Sequence, residues 1–197
     1  MRILIISDSH GRRMDGCMRT LNAAWDVRVM AVGRGTAIVR EMYQSRRSAY
    51  QDYSPDGILI HLCHNDIVHH PRHNPHPISS SLAFTQAMEF MDEVGEDMPY
   101  ARMVYSSIFP RCIGSSMSRD ERIRYNNEAY VFGEMVRSSC TARGRRFVLN
   151  QDLWESPVDG LARSTLFMPD GLHLNWQGKK VVANEWMEAL CSCRNRL

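Results

Sequence analysis

The chain has 197 residues, 44% of them hydrophobic and 23% charged, with six cysteines and a formal net charge of +2. A single core can grow to roughly 250 residues before splitting, so the sequence reads as one domain over residues 1–197. The composition excludes a disordered or fibrous chain, the charge is too small to argue by itself for nucleic acid or an acidic surface, and no apolar run approaches the roughly 20 residues needed to cross a bilayer.

Ile3 to Ile6 is a short, continuous run of branched apolar residues, which predicts a strand buried on both faces. It runs into Ser7-Asp8-Ser9-His10-Gly11 and is too short for a signal peptide. Met14, Cys17, Met18 and Leu21 have the three-four spacing of a helix over Arg13 to Ala24. Val27 to Val32 predicts a second strand, ended by Gly33-Arg34-Gly35, with Thr36 as cap of a helix carrying Ile38, Val39, Met42 and Tyr43. A third strand spans Gly57 to Leu62. From His64 to Ser81 the chain is rich in histidine and proline and reads as a long loop. A helix over Leu82 to Val94, a strand through "ARMVYSSIF", a helix over Arg119 to Ser139 and a fifth strand in "RRFVLN" follow. The stretch to Gly171 reads as irregular, and a last helix fits Trp176 to Cys191. Strands alternating with helices predict an α/β fold with a parallel sheet covered on both faces. Ligands bind such sheets outside the carboxyl ends of the strands.

Polar residues stand at those ends. Ser9 follows strand one, Gly33 and Gly35 follow strand two, Asn65 and Asp66 follow strand three, and Asp170-Gly171-Leu172-His173 precedes the last helix. Each suits one role in acyl transfer. A serine hydroxyl is a weak nucleophile until a base takes its proton. His173 is the candidate base, and Asp170, three residues earlier, is placed to hold its tautomer. The backbone N–H groups of Ser9 and Gly35 and the amide of Asn65 are candidate oxyanion donors. Taken singly, each has a blander reading: a turn or helix cap for Ser9, turns for the glycines, an Asx turn for Asn65, a loop turn for Asp170, and a surface position for His173.

As an ordered set these residues resemble the SGNH, or GDSL-type, hydrolases. "SDSH" stands for the first block of that family, "VGRGT" for the glycine block, "CHND" for the third and "DGLHLNWQGKK" for the last. Three positions depart from the family's pattern: Ser7 replaces its first glycine, His10 its leucine, and Cys63 the glycine of the third block. The resemblance implies a three-layer α/β/α sandwich around a flavodoxin-like five-stranded parallel sheet. It also implies a serine esterase of small acyl or acetyl esters, lipids among them, with Ser9, Asp170 and His173 as catalytic residues, Ser9, Gly35 and Asn65 as oxyanion hole, and no cofactor. "ILIISDSHGRR", "IFPR" and "RYNNEAY" further resemble the esterase domains of LINE-type retrotransposon first open-reading-frame proteins. That likeness opens an alternative: a catalytically weak module of the same fold that binds lipid or nucleic acid within a larger protein, which would bring the chain to an anionic membrane or to nucleic acid.

Three features stay outside this scheme. His64, His69, His70, His73 and His76 crowd one loop. Imidazoles at such spacing can bind zinc, a proline-rich loop promises no fixed geometry, and a substrate lid beside Asn65 is the favoured reading. His61 alternates within its strand and reads as a satisfied core or edge residue. Arg12-Arg13, Arg46-Arg47 and Arg145-Arg146 are basic pairs, which usually mark solvated faces but, if clustered, suit anionic headgroups or phosphate. The cysteines Cys17, Cys63, Cys112, Cys140, Cys191 and Cys193 lack any paired metal-binding spacing, which predicts reduced thiols and an intracellular, cytoplasmic setting.

Overall fold

The structure is a computed structural model that describes residues 1–67, 77–112, 114, 117–157 and 159–192. Its centre is a five-stranded sheet of β1 (Arg2–Ser7), β2 (Asp26–Ala31), β3 (Gly57–His61), β4 (Arg102–Ser106) and β5 (Arg146–Val148), in the order β2-β1-β3-β4-β5. All pairings are parallel, with Ile3 beside both Val27 and Gly57. This is the flavodoxin-like order, and its switch point lies between β1 and β3.

The run Ile3 to Ile6 is wholly buried, as a strand covered on both faces must be. Its residues alternate between two cores. Leu4 and Ile6 face α2 (Thr36–Gln44), α3 (Arg47–Tyr53), α5 (Ser80–Asp97) and α6 (Arg119–Ala142), through Val39, Tyr43, Tyr50, Phe90 and Phe132. Ile3 and Ile5 face α1 (Met14–Leu21) and α7 (Trp176–Cys191), through Met14, Met18, Val182 and Trp186. Each such apolar side chain contributes about 1.5–3 kcal/mol by burial. The five predicted strands and the three-layer α/β/α arrangement are present. No helix among the described residues is long and apolar enough to cross a membrane.

The structure differs from the sequence reading at several places. α3 lies where no element is predicted. The stretch predicted as loop from His64 begins with a helical turn, α4 (His64–Ile67), and α5 starts at Ser80, capped by Ser79, which accepts the Leu82 N–H. His69, His70, His73 and His76, on which the lid and zinc readings rest, lie outside the described residues. The stretch before Gly171 is not wholly irregular: β6 (Trp154–Ser156) pairs antiparallel with β7 (Leu161–Ala162). Thr36 is the first residue of α2, and Gly35 holds the N-cap position with no side chain to close it.

The missing cap of α2 comes from α4. The Asp66 carboxylate accepts the Thr36 N–H at 3.1 and 3.0 Å through its two oxygens and the Thr36 hydroxyl at 2.7 Å. A carboxylate at a helix N-terminus satisfies orphan donors and opposes the helix dipole. It also locks the loop after β2 to the loop after β3. Cys63, just before α4, has φ 76°, a left-handed backbone that glycine adopts without strain.

Beyond the strand ends the sheet pattern continues for one more bond on either side of β1. Val32 donates to the Ser7 carbonyl at 3.0 Å, and Asp8 donates to the His61 carbonyl at 3.2 Å. Asp8 is buried and its Oδ1 accepts the His10 N–H at 3.0 Å. Burial outweighs that bond and raises the Asp8 carboxyl from 3.8 to about 7.

Two outcomes follow. Asp66→Ala is expected to lower unfolding stability by about 1–2 kcal/mol, the usual range for a lost N-cap, read as a lower urea midpoint at unchanged slope; an unchanged midpoint would show that the α2 start needs no cap. Between pH 3.8 and about 7 the folded state keeps an Asp8 proton that the unfolded chain has released, so this group's contribution to stability falls as pH rises through that window. Asp8→Asn removes the ionisation and keeps an oxygen for the His10 N–H. Its melting temperature relative to wild type should therefore be several degrees more favourable at about pH 8 than at about pH 5. An equal difference at both pH values would show that Asp8 titrates in the ordinary carboxylate range.

Candidate active site

Ser9 leaves the sheet at the switch point. It opens a tight 3-10 turn, Ser9–Gly11, whose first N–H groups are organised by Asp8. The loop after β2 comes up beside it. A Cβ placed on Gly33 would lie 3.8 Å from the Ser9 Cβ, so the bare Gly33 backbone faces the serine. A Cβ on Gly35 would instead collide with the Asp66 carboxylate. Ser9, Gly33 and Gly35 all keep backbone N–H groups that make no hydrogen bond among the described residues. Asn65, in α4, donates its side-chain amide to the Arg34 carbonyl at 3.3 Å, which sets it against the same loop. The sequence alone singles out Gly35 as the glycine donor; Gly33 also comes close to Ser9.

The last motif folds into a turn built for its histidine. The Asp170 Oδ1 accepts the N–H groups of Leu172 and His173, each at 2.9 Å, and its Oδ2 meets the His173 Nδ1 at 2.8 Å. Partial burial pushes the Asp170 carboxyl up, and the hydrogen bonds from His173 and Leu172 outweigh it, leaving a carboxyl below its ordinary value. Gly171, at φ 63°, makes the turn possible, and its carbonyl accepts the Cys112 N–H at 2.9 Å. Leu174 is buried in the core. Asn175 caps α7 by accepting the Gly178 N–H at 2.9 Å and donates to the Thr165 and Phe167 carbonyls at 2.8 and 3.2 Å. A Cβ on Gly178 would collide with the Leu166 carbonyl. The Leu-Asn and the glycine of the motif are thus scaffold, which leaves Asp170 and His173 as its hydrogen-bonded polar pair.

Ser9, Asp170 and His173 line one cleft of about 550 Å³, together with His10, Arg12, Arg13, Met168, Leu174, Asn175, Trp176 and Lys179. Gly33, Gly35 and Asn65 are not among its walls. Ser9 and His173 make no hydrogen bond to each other, an arrangement common where substrate draws the two groups together. With Nδ1 committed to Asp170, the free ring nitrogen of His173 is Nε2.

A cluster of buried imidazoles lies beside this cleft, and the sequence shows no sign of it. The His10 ring centroid is 5.4 Å from that of His173, 4.3 Å from His64 and 6.0 Å from His61. His64 pairs its Nδ1 with the Tyr125 hydroxyl at 2.9 Å, and His61 pairs its Nδ1 with the Ser106 hydroxyl at 3.2 Å. Burial lowers the basicity of all three rings, that of His61 to about 3. His61 is fully buried, which places it in the core and not at an edge. Among the described residues no group of three His, Cys, Asp or Glu side chains is disposed to hold a metal ion.

No protein-family profile and no curated protein matches this sequence. Solved structures do. A GDSL-like lipase from Bacteroides thetaiotaomicron superposes with a TM-score of 0.75 at 13% identity, over 98% of this chain and 88% of that one. A catalytic mutant of an acetylxylan esterase from Geobacillus stearothermophilus, with a serine changed to alanine, gives 0.69 at 13% identity, over 96% and 94%. An acetyl xylan esterase gives 0.68 at 13% identity, over 96% of this chain and the whole of the other. With its sheet order and the helices on both faces, this chain has the SGNH-hydrolase fold.

Proposed function

We propose that this protein is a serine esterase of small acyl or acetyl esters, lipids among them, that works without a cofactor. The observation that carries this reading is the grip of Asp170 on His173 Nδ1 in the cleft that Ser9 also lines. The similarity in fold to a GDSL-like lipase and to acetylxylan esterases supports it.

The chemistry runs as follows. His173 Nε2 takes the Ser9 hydroxyl proton as the oxygen attacks the ester carbonyl carbon. Asp170 fixes the tautomer and stabilises the imidazolium. The oxyanion meets the Ser9 and Gly33 backbone N–H groups and the Asn65 amide, with Gly33 taking the place the sequence reading gives to Gly35. Collapse breaks the bond to the alcohol oxygen, which leaves with the proton from His173. Water, deprotonated by the same imidazole, then attacks the acyl-serine and releases the acid. The likeness of three short segments to LINE-type esterase domains further supports a setting within a larger protein that meets membrane or nucleic acid.

Ser9→Ala should reduce hydrolysis of a short-chain nitrophenyl ester by at least about 10³-fold and abolish labelling by a fluorophosphonate, with the melting curve kept. Full activity in that variant would refute the assignment. A wild-type chain that takes no label would favour the binding-module alternative. Asn65→Ala should lower kcat by about 10²–10³-fold, the usual loss for one oxyanion donor; an unchanged kcat would remove Asn65 from the hole.

A further inference from the structure

The three basic pairs have different fates. Arg47 is paired with Asp97 and Arg145 with Asp92, so each of those pairs is at least half neutralised. Arg12 and Arg13 have no carboxylate partner among the described residues, and both line the cleft beside Ser9. Lys179 joins them from α7, with its Nζ donating to the Arg12 carbonyl at 3.4 Å. The Arg12 Nη2 lies 3.4 Å from the place a Cβ on Gly33 would occupy, so this guanidinium hangs over the loop that faces the nucleophile. Three cations therefore meet one carboxylate in the cleft, and that carboxylate, Asp170, is held by His173.

This cluster is electrostatically unsatisfied. Partial burial and the neighbouring Arg13 both depress the Lys179 ammonium. Like charges held together without a counter-ion cost free energy that a bound anion returns. Arg13 also has φ 67°, a left-handed backbone for a long side chain at the start of α1. Such a residue is strained and persists where its surroundings over-determine it. The cleft also has apolar lining: Met168 and Trp176 are 46% and 51% exposed, and Leu174 lies between them in sequence. The apolar lining suits an acyl chain and the cations suit an anion.

We propose that this cleft selects acyl esters that carry a phosphate on the alcohol side, with Arg12, Arg13 and Lys179 on the phosphate and Met168 and Trp176 along the acyl group. Two guanidiniums and an ammonium offer the forked and single donors that a tetrahedral dianion accepts. The proposal rests on the esterase reading: the ester bond breaks as described above, and the phosphate stays on the departing alcohol.

The test compares the acetyl ester of glycerol phosphate with the acetyl ester of glycerol on the full chain, and repeats the comparison with oleoyl esters to separate soluble phosphate esters from lipids. The phosphate-bearing ester should be preferred by about tenfold or more in kcat/KM. The preference should shrink at about 1 M salt, where the Debye length is about 3 Å. The combined Arg12→Gln, Arg13→Gln and Lys179→Gln variant should bring the ratio of the two esters close to one, while Arg137→Gln, on a distant ion-paired arginine, leaves it as in wild type. Equal rates for the two esters in wild type, or an undiminished ratio in the triple variant, would overturn the proposal. If no ester is hydrolysed, the esterase reading fails separately, and calorimetry with glycerol phosphate against glycerol decides the anion site. Binding of glycerol phosphate that the triple variant loses supports the site; absence of binding, or binding of an RNA oligonucleotide alone, overturns it.

Discussion

The carboxylate of Asp66 is the bond on which the site's geometry turns. Parallel strands deliver their loops to one edge but do not fix those loops to one another. Asp66 does so by accepting both the N–H and the hydroxyl of Thr36, thirty positions away in the chain. Gly33, which faces Ser9, and Asn65, whose amide reaches the Arg34 carbonyl, then belong to one rigid corner. The single bonds from Val32 to Ser7 and from Asp8 to His61 attach the Ser9 turn to that corner by continuing the sheet pattern past its strands. Cys63 tolerates a left-handed backbone inside this arrangement, where it also packs against Thr36 and Tyr105.

The Asp170 turn reaches the same edge by other means. It is docked by its backbone, through the Gly171 carbonyl to Cys112 and the Met168 N–H to the His173 carbonyl at 2.7 Å, and by the Asn175 cap of α7. A histidine fixed in this way through its backbone and its Nδ1 keeps only its Nε2 side for further contacts. Its side chain remains 46% exposed, so solvent water has access to it.

Much of this was legible in the residues. Strands with both faces buried announce themselves as unbroken apolar runs, as Ile3 to Ile6 does, and α1 and α7 carry apolar stripes that repeat over two or more turns. Short elements escape because their stabilisation is tertiary. α3 has no side-chain cap and only Tyr50 and Tyr53 to bury, α4 is a single turn, and β6 and β7 pair over a few residues. The approach of Gly33 to Ser9 and of the Asp66 side chain to Gly35 are contacts distant in sequence that no local pattern carries. The fate of the basic pairs is equally long-range: Asp97 and Asp92 decide it for Arg47 and Arg145, and the return of α7 brings Lys179 to Arg12 and Arg13.

The same distinction between composition and placement explains the charge of the cleft. Eight histidines and a formal charge of +2 say little about where positive potential lies. His10, His61 and His64 are packed so deeply that burial holds them neutral, and the Arg111 guanidinium beside His10 and His64 lowers the first and last of these further. They fill space without adding charge. Arg111 is itself buried, and the charges that favour its cationic form include those of Asp8 and Asp170. The imidazole at the position where leucine is expected therefore does not make the cleft basic. The permanent cations at its rim do, and they act beside a low-dielectric wall that strengthens their field over Ser9. On a chain of nearly neutral overall charge such a cluster sets the potential that an approaching anion meets, because it meets the local field and not the sum over the chain.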